Sequence, residues 1–258
     1  MRWRYLAGGS GGQTVLLPAG GTRVPDMYLL LIEALESDFR VLAPAYPAGA
    51  GITGLADGLA AILDAEGVGQ ADVLGSSFGG FVAQTFARRH PDRVRRLVLA
   101  NTGSPASAPL PLLPLLIRFL AVLPENAVRS VTGWNWRRWF APDSQDSQDN
   151  AMFWNRLLTD ILSRLGKEDL LSALREMNEF AHLPTAGAPA VRTLTTPPMP
   201  VLLIESEQDK AFSPQARAAL RALYPEAEVR LFAGEGHGVM ATRTAEYIDA
   251  VREFLSRP

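Results

Sequence analysis

The stretch Ala71-Asp-Val-Leu-Gly75-Ser76-Ser77-Phe78-Gly79-Gly80-Phe81-Val82-Ala-Gln-Thr-Phe86 decides the fold. Its first five residues form a short apolar run that stops on glycine, which reads as a buried strand. Phe78, Val82 and Phe86 then recur at helical spacing, and the helix stops before Pro91. Between the two lies Gly-x-Ser-x-Gly with Ser77 at its centre. A chain that reverses from strand to helix in so tight a turn brings the positions two before and two after the serine together, so both are glycine. The serine is then lifted out at the carboxyl end of the strand, above a helix N-terminus whose dipole favours developing negative charge. Ser76 cannot take this place, because its flanking positions are Leu74 and Phe78.

The same strand-helix rhythm extends outward in both directions. Upstream, Thr14–Leu17 and Arg40–Pro44 read as strands, and Met27–Leu35 and Leu55–Leu63 as helices. Downstream come strands at Arg95–Ala100, Pro200–Glu205 and Glu228–Phe232. Helices follow at Pro214–Leu223, with Ser213 as N-cap, and at Thr244–Leu255. Short apolar strands alternating with helices predict an α/β fold with a mostly parallel central sheet covered on both faces. The middle breaks the rhythm. Residues 104–198 show no strand, open with Pro105, Pro109, Pro111 and Pro114, and carry helical patterns such as Leu157, Ile161 and Leu165. They are expected to be a helical insertion between the two halves, 1–103 and 199–258, of one core domain.

Composition narrows the function. The chain has 258 residues, 25 Lys+Arg against 27 Asp+Glu, and no Cys. That length supports one sizeable core. Near-neutral charge gives no case for a nucleic-acid partner. The missing cysteines exclude disulfides, thiolate metal sites and cysteine catalysis. No cluster of His and carboxylates has metal-ligand spacing, and no phosphate-binding glycine motif fits its context, so no cofactor or metal is called for. The N-terminal apolar run is too short for a signal peptide, and the longest apolar stretch, Ala108–Pro124, is broken by Pro111, Pro114 and Arg118. A cytoplasmic protein without stable membrane insertion is expected.

A serine hydroxyl needs a base, and the chain offers three histidines. A helix of about a dozen residues at about 1.5 Å each carries His90 to the opposite end of the sheet, onto the surface. His182 falls at a helix end within the insertion. His237, in Gly234-Glu-Gly-His237-Gly-Val-Met240, follows a strand at the right end of the sheet and is the expected base. A triad of this kind runs serine, acid, histidine along the chain. Glu205, Glu207 and Asp209 follow the Val201–Ile204 strand, and Asp209 at the loop's far end is the choice. The other usual place for the acid, after Ala100, holds Asn101-Thr-Gly and no carboxylate. Oxyanion donors are expected at the backbone N–H of Phe78 and, from Pro18-Ala-Gly-Gly-Thr22, at Gly20, with Gly21 next.

With these residues in hand the chain resembles the α/β-hydrolase fold superfamily over nearly its whole length. The resemblance rests on Gly75–Gly79, on Arg88-Arg-His-Pro-Asp-Arg-Val94, on the Asp209 loop and on Gly236-His237. Many members begin the oxyanion loop with His-Gly and carry an Asp-x-x-Gly-x-Gly turn after the next strand. Here Pro18-Ala19 and Tyr46-Pro-Ala-Gly-Ala-Gly51 stand instead. Leu17-Pro18, Tyr46-Pro47 and Phe81-Val-Ala-Gln84 are similar to the maspardin-like branch. That likeness implies either hydrolysis or a binding and adaptor role, and the retained His237 favours hydrolysis. The superfamily implies that the insertion forms a cap over the nucleophile. Four of the five Trp lie there. Trp134 and Trp139 either line an apolar pocket, together with Gly21 and Met240, or pack the cap onto the sheet. Core packing is expected of Leu110–Leu123 in preference to contact with lipid. Arg23 reads as a solvated loop residue or as a holder of a substrate carboxylate. The expectation is a serine esterase for a small or medium, mostly apolar ester. Lactonase, thioesterase, amidase and C–C hydrolase share the same machinery.

Overall fold

The computed structural model describes residues 2–105, 111–140, 148–184 and 199–257, and the side chains of all of these except 134–140 and 148–149. Seven strands form one sheet: β1 (Arg4–Gly8), β2 (Thr14–Leu16), β3 (Arg40–Ala45), β4 (Ala71–Ser76), β5 (Val94–Ala100), β6 (Val201–Ser206) and β7 (Glu228–Phe232). Their order is β1-β3-β2-β4-β5-β6-β7. Every pair is parallel except β1 with β3, where Arg4 stands opposite Ala45.

Alternation along the strands builds two cores, one on each face. Leu16, Leu42, Val73, Leu97, Leu99 and Leu203 point to one face. There they meet α2 (Gly51–Ala65), α3 (Phe78–Arg89) and α8 (Pro214–Leu223). Val15, Val41, Ala43, Leu74, Val98 and Ile204 point to the other. They meet α1 (Leu29–Leu35) and α10 (Thr244–Leu255). A parallel sheet covered on both faces needs such near-continuous apolar strands.

β1 buries none of its short apolar run fully; its exposed and half-buried residues pair along the edge of β3. Trp3 beside it rests on Gly58 of α2, where a Cβ would lie 1.9 Å from the indole. A short α9 (Val239–Thr242) also stands between the His237 loop and α10.

Between β5 and β6 lie α4 (Leu113–Val122), α5 (Glu125–Phe140), α6 (Gln148–Arg164) and α7 (Lys167–Ala181). They share a third apolar cluster, with Leu120, Val128, Trp154, Ile161 and Leu170 packed against Met27 and Ala241. Core packing of the α4 leucines holds only on one side. Leu113 and Leu120 are buried, whereas Leu112 is 70% exposed and Val122 80%, with Leu115 and Phe119 also in the open. No helix among the described residues is long and apolar enough to cross a membrane.

Candidate active site

The elbow between β4 and α3 is built on contact. A Cβ on Gly75 would stand 2.2 Å from the Gly79 carbonyl oxygen, and one on Gly79 would stand 2.3 Å from that of Pro18. A Cβ on Gly80 would meet the Thr102 side chain at 2.5 Å. These glycines let strand, helix and the Pro18–Thr22 loop approach closely. Ser77 has φ 55° and ψ −123°, a strained conformation for a residue with a side chain. Ser77 is the N-cap of α3, yet its side chain caps nothing in the helix. Its hydroxyl is turned instead to His237.

Ser77 Oγ lies 3.0 Å from His237 Nε2, and His237 Nδ1 lies 2.9 Å from Asp209 Oδ2. Both the histidine and the aspartate are buried. Asp209 is held from all sides. Oδ1 accepts the backbone N–H groups of Ala211 (2.7 Å) and Phe212 (3.2 Å), and Oδ2 also accepts Asn101 Nδ2 (3.0 Å). Burial pushes the Asp209 carboxyl up, but the bond and charge of His237, then Asn101 and Ala211, outweigh it and hold it below its ordinary value. An ionised Asp209 fixes the proton on Nδ1 and leaves Nε2 as the acceptor for the Ser77 hydroxyl.

The rival carboxylates are used elsewhere. Glu205 pairs with Arg221 (2.8 Å), and Glu207 accepts the Gly234 N–H (2.9 Å). Two backbone bonds, Gln208 N–H to Glu235 O (2.8 Å) and Glu207 N–H to Phe232 O (3.1 Å), hold the acid loop against the histidine loop. The Phe212 ring lies 5.7 Å from the imidazole.

Ser77 opens onto a cavity of about 280 Å³, close to the lower end of the range for small-molecule sites. Gly20, Gly21, Thr22, Phe78 and Met240 line its floor; Leu116, Leu120, Leu170 and Leu174 line the side of the inserted helices. Among the described residues the lining holds no charged side chain. Among the described residues no group of three or more His, Asp or Glu stands together as a metal site.

The model of the alpha/beta hydrolase fold family matches residues 13–244. The chain belongs to that family. Among its relatives is a 2-hydroxymuconate semialdehyde hydrolase of Pseudomonas putida, 27% identical over 202 residues, which are 76% of this chain and 66% of the relative. The match thus spans just under two thirds of that protein. A hydrolase from Pseudomonas aeruginosa superposes with a TM-score of 0.81 at 20% identity, covering 99% of this chain and 94% of that one. A thermophilic esterase from Thermogutta terrifontis gives 0.80 at 23% identity, covering 98% and 92%. These likenesses to solved structures support the hydrolase fold.

In this chain the expected Ser77, His237 and Asp209 meet in one hydrogen-bonded chain, and Gly20, Gly21, Phe78 and Met240 share the adjoining cavity. The Trp134 and Trp139 side chains lie outside the described residues. His90 sits at the far end of α3 bonded to Asp57 (2.9 Å), and His182 bonds the Asn178 carbonyl (2.7 Å) at the end of α7. Arg23 is neither solvated nor open to a substrate. It is 1% exposed and bonds Glu176 of α7 through two nitrogens, with Nη2 to Oε1 at 3.3 Å. Asn101 was invisible as a site residue. At φ 44° it ends β5 and bonds both Asp209 and Ser206 (2.8 Å). The only sequence signal was an amide where a carboxylate is the usual alternative.

Proposed function

We propose that this hydrolase cleaves a carboxylic ester with an uncharged, small to medium acyl or aromatic group through an acyl-enzyme. The observation that carries this is the unbroken chain Ser77 Oγ–His237–Asp209 opening onto a cavity whose described lining holds no charge. Ser77 Oγ attacks the carbonyl carbon as its proton passes to His237 Nε2. The backbone N–H groups of Phe78 and Gly20 receive the oxyanion; Phe78 N–H is a first-turn donor of α3, which a helix leaves without an internal acceptor. The tetrahedral adduct collapses, the C–O bond breaks, and Nε2–H protonates the leaving alcohol. Water then attacks the acyl-enzyme, His237 takes its proton, and Ser77 leaves with that proton.

The inserted region, residues 104–198, acts as the cap that selects the acyl group, with the residues outside it, 1–103 and 199–258, as the catalytic core. The described lining, without charge, favours an ester over an anionic substrate such as the muconate semialdehyde in the relative's name. A carboxylate in so apolar a site needs a cation, and Arg23, just past the oxyanion loop, is taken up by Glu176.

The test is a nitrophenyl ester series of rising acyl length, with wild type beside Ser77→Ala and fluorophosphonate labelling of both. Turnover lost by about 10⁴-fold or more in Ser77→Ala, with label on Ser77 only, supports the reading. A folded wild type that neither turns over nor takes the label supports a non-catalytic binding protein instead.

A further inference from the structure

The oxyanion donors proposed above sit on two separate stretches of chain, and something must set the distance between them. β2 and β4 pair as far as Leu16 opposite Val73. Beyond that the two chains part: one becomes the Pro18–Thr22 loop, the other runs on to Ser76 and the elbow. Parting leaves two backbone groups without ladder partners, the Pro18 carbonyl and the Ser76 N–H. The next N–H along, that of Ser77, faces the other way and donates to the Ala100 carbonyl at 2.9 Å.

Tyr28 fills the gap. It stands in the one-turn 3₁₀ helix Pro25–Tyr28 ahead of α1, and its ring is buried between the sheet and the cavity floor. Its hydroxyl donates to Pro18 O at 3.1 Å and accepts the Ser76 N–H at 3.0 Å. Burial pushes this phenol's pKa up, so the proton it donates stays in place.

Two contacts therefore govern the approach of the loop to the elbow. Gly79 against the Pro18 carbonyl is a steric stop. The Tyr28 hydroxyl is the tie that draws the same carbonyl toward Ser76. Pro18 lies two residues before Gly20, and Ser76 two before Phe78. We propose that Tyr28 is a positioning residue that sets the width of the oxyanion hole by bridging these two backbone segments. The inference rests on the serine hydrolase reading of the site.

Tyr28→Phe removes one oxygen and keeps the ring. Tyr247→Phe is the control, since Tyr247 is also buried, in the core cluster that holds Tyr28, and its hydroxyl has no partner among the described residues. Both variants and wild type are assayed for kcat, KM and fluorophosphonate labelling rate, well below the melting midpoint of each. Tyr28→Phe is expected to lose roughly 10- to 100-fold in kcat and in labelling rate, with KM and the pH profile little changed. Tyr247→Phe is expected to keep both rates. A merely structural hydroxyl would lower the melting midpoint and leave kcat alone. A Tyr28→Phe kcat within twofold of wild type overturns the inference and leaves the hydrolase reading standing. A wild type that takes no label overturns both. If Tyr28→Phe does not fold, Tyr28→Trp, which keeps a donor but no acceptor, is expected to show the same loss in kcat; full kcat there overturns the inference.

Discussion

The sheet core and the inserted helices are held together by different means. In the core, alternate residues of the inner strands enter opposite apolar clusters, and Leu74 and Leu97 are wholly buried. Among the inserted helices, α4 buries Leu113 and Leu120 and turns Leu115, Phe119 and Val122 outward. Several links from these helices to the core are polar and cross large sequence distances. Arg23 pairs with Glu176, the Gly49 N–H donates to Ser172 Oγ (3.0 Å), and the Ile52 N–H donates to Glu179 (2.7 Å) at the start of α2. Phe180 adds one apolar anchor, stacked on Phe81 at 4.3 Å. Every residue of the Ser77–His237–Asp209 chain belongs to the core. On the proposed function, reactivity and selectivity are then separable: the core would carry the reacting groups, and the insertion would shape the space above them.

That separation can be broken most sharply at Asp209. Asp209→Asn is expected to lower kcat by about 10⁴-fold, because an amide can hold the wrong imidazole tautomer. The same variant reports on stability in acid. Asp209 is depressed in the folded state, so its contribution is present above the unfolded value of about 3.9 and is lost as pH falls through the lower folded value. Acid unfolding of Asp209→Asn should therefore be less steep below about pH 4 than that of wild type. An unchanged acid limb would mean that the carboxylate is not stabilised by its partners.

Next in size is the polar link between the two regions. Glu176→Gln leaves Arg23 buried without its counter-charge, and a loss of about 3–5 kcal/mol in denaturant unfolding is expected. Burial raises the Glu176 carboxyl even beside the guanidinium, so the pair itself is costly to desolvate. Arg23→Met with Glu176→Leu should thus recover most of that loss. If the double variant is no better than the single one, the pair contributes more than the removal of a lone charge.

The smallest effect is expected on the outer side of α4. Phe119→Ser should change stability by no more than about 0.5 kcal/mol and leave kcat and acyl-length preference alone. A large loss of stability would show that this face is covered in solution.

How much was legible depended on how local the cause was. Ser77 could be read because the turn demands glycine at Gly75 and Gly79, two and two residues away. His237 could be read by elimination among three histidines. Asp209 was one of three carboxylates in its loop, and the choice followed from position alone. Tyr28 and Asn101 could not be read: each acts through a hydrogen bond to a group 48 or 108 residues away. Arg23 was misread for the same reason, since its partner lies 153 residues on. The apolar run of β1 was too short to be read as a strand, and its pairing is with the edge of β3.

Short-range sterics and periodicity are written along the chain itself: strands buried on both faces, helices between them, a strained elbow that lifts one serine, and a glycine-flanked histidine at the same end of the sheet. Long-range pairing emerged with the packed fold. It chose which carboxylate meets the imidazole, buried Arg23 against Glu176, left the outer leucines of α4 uncovered and placed the Tyr28 hydroxyl between two parting strands. Hydrogen bonds and ion pairs between distant segments leave no period in the chain, because either partner alone is an ordinary polar residue.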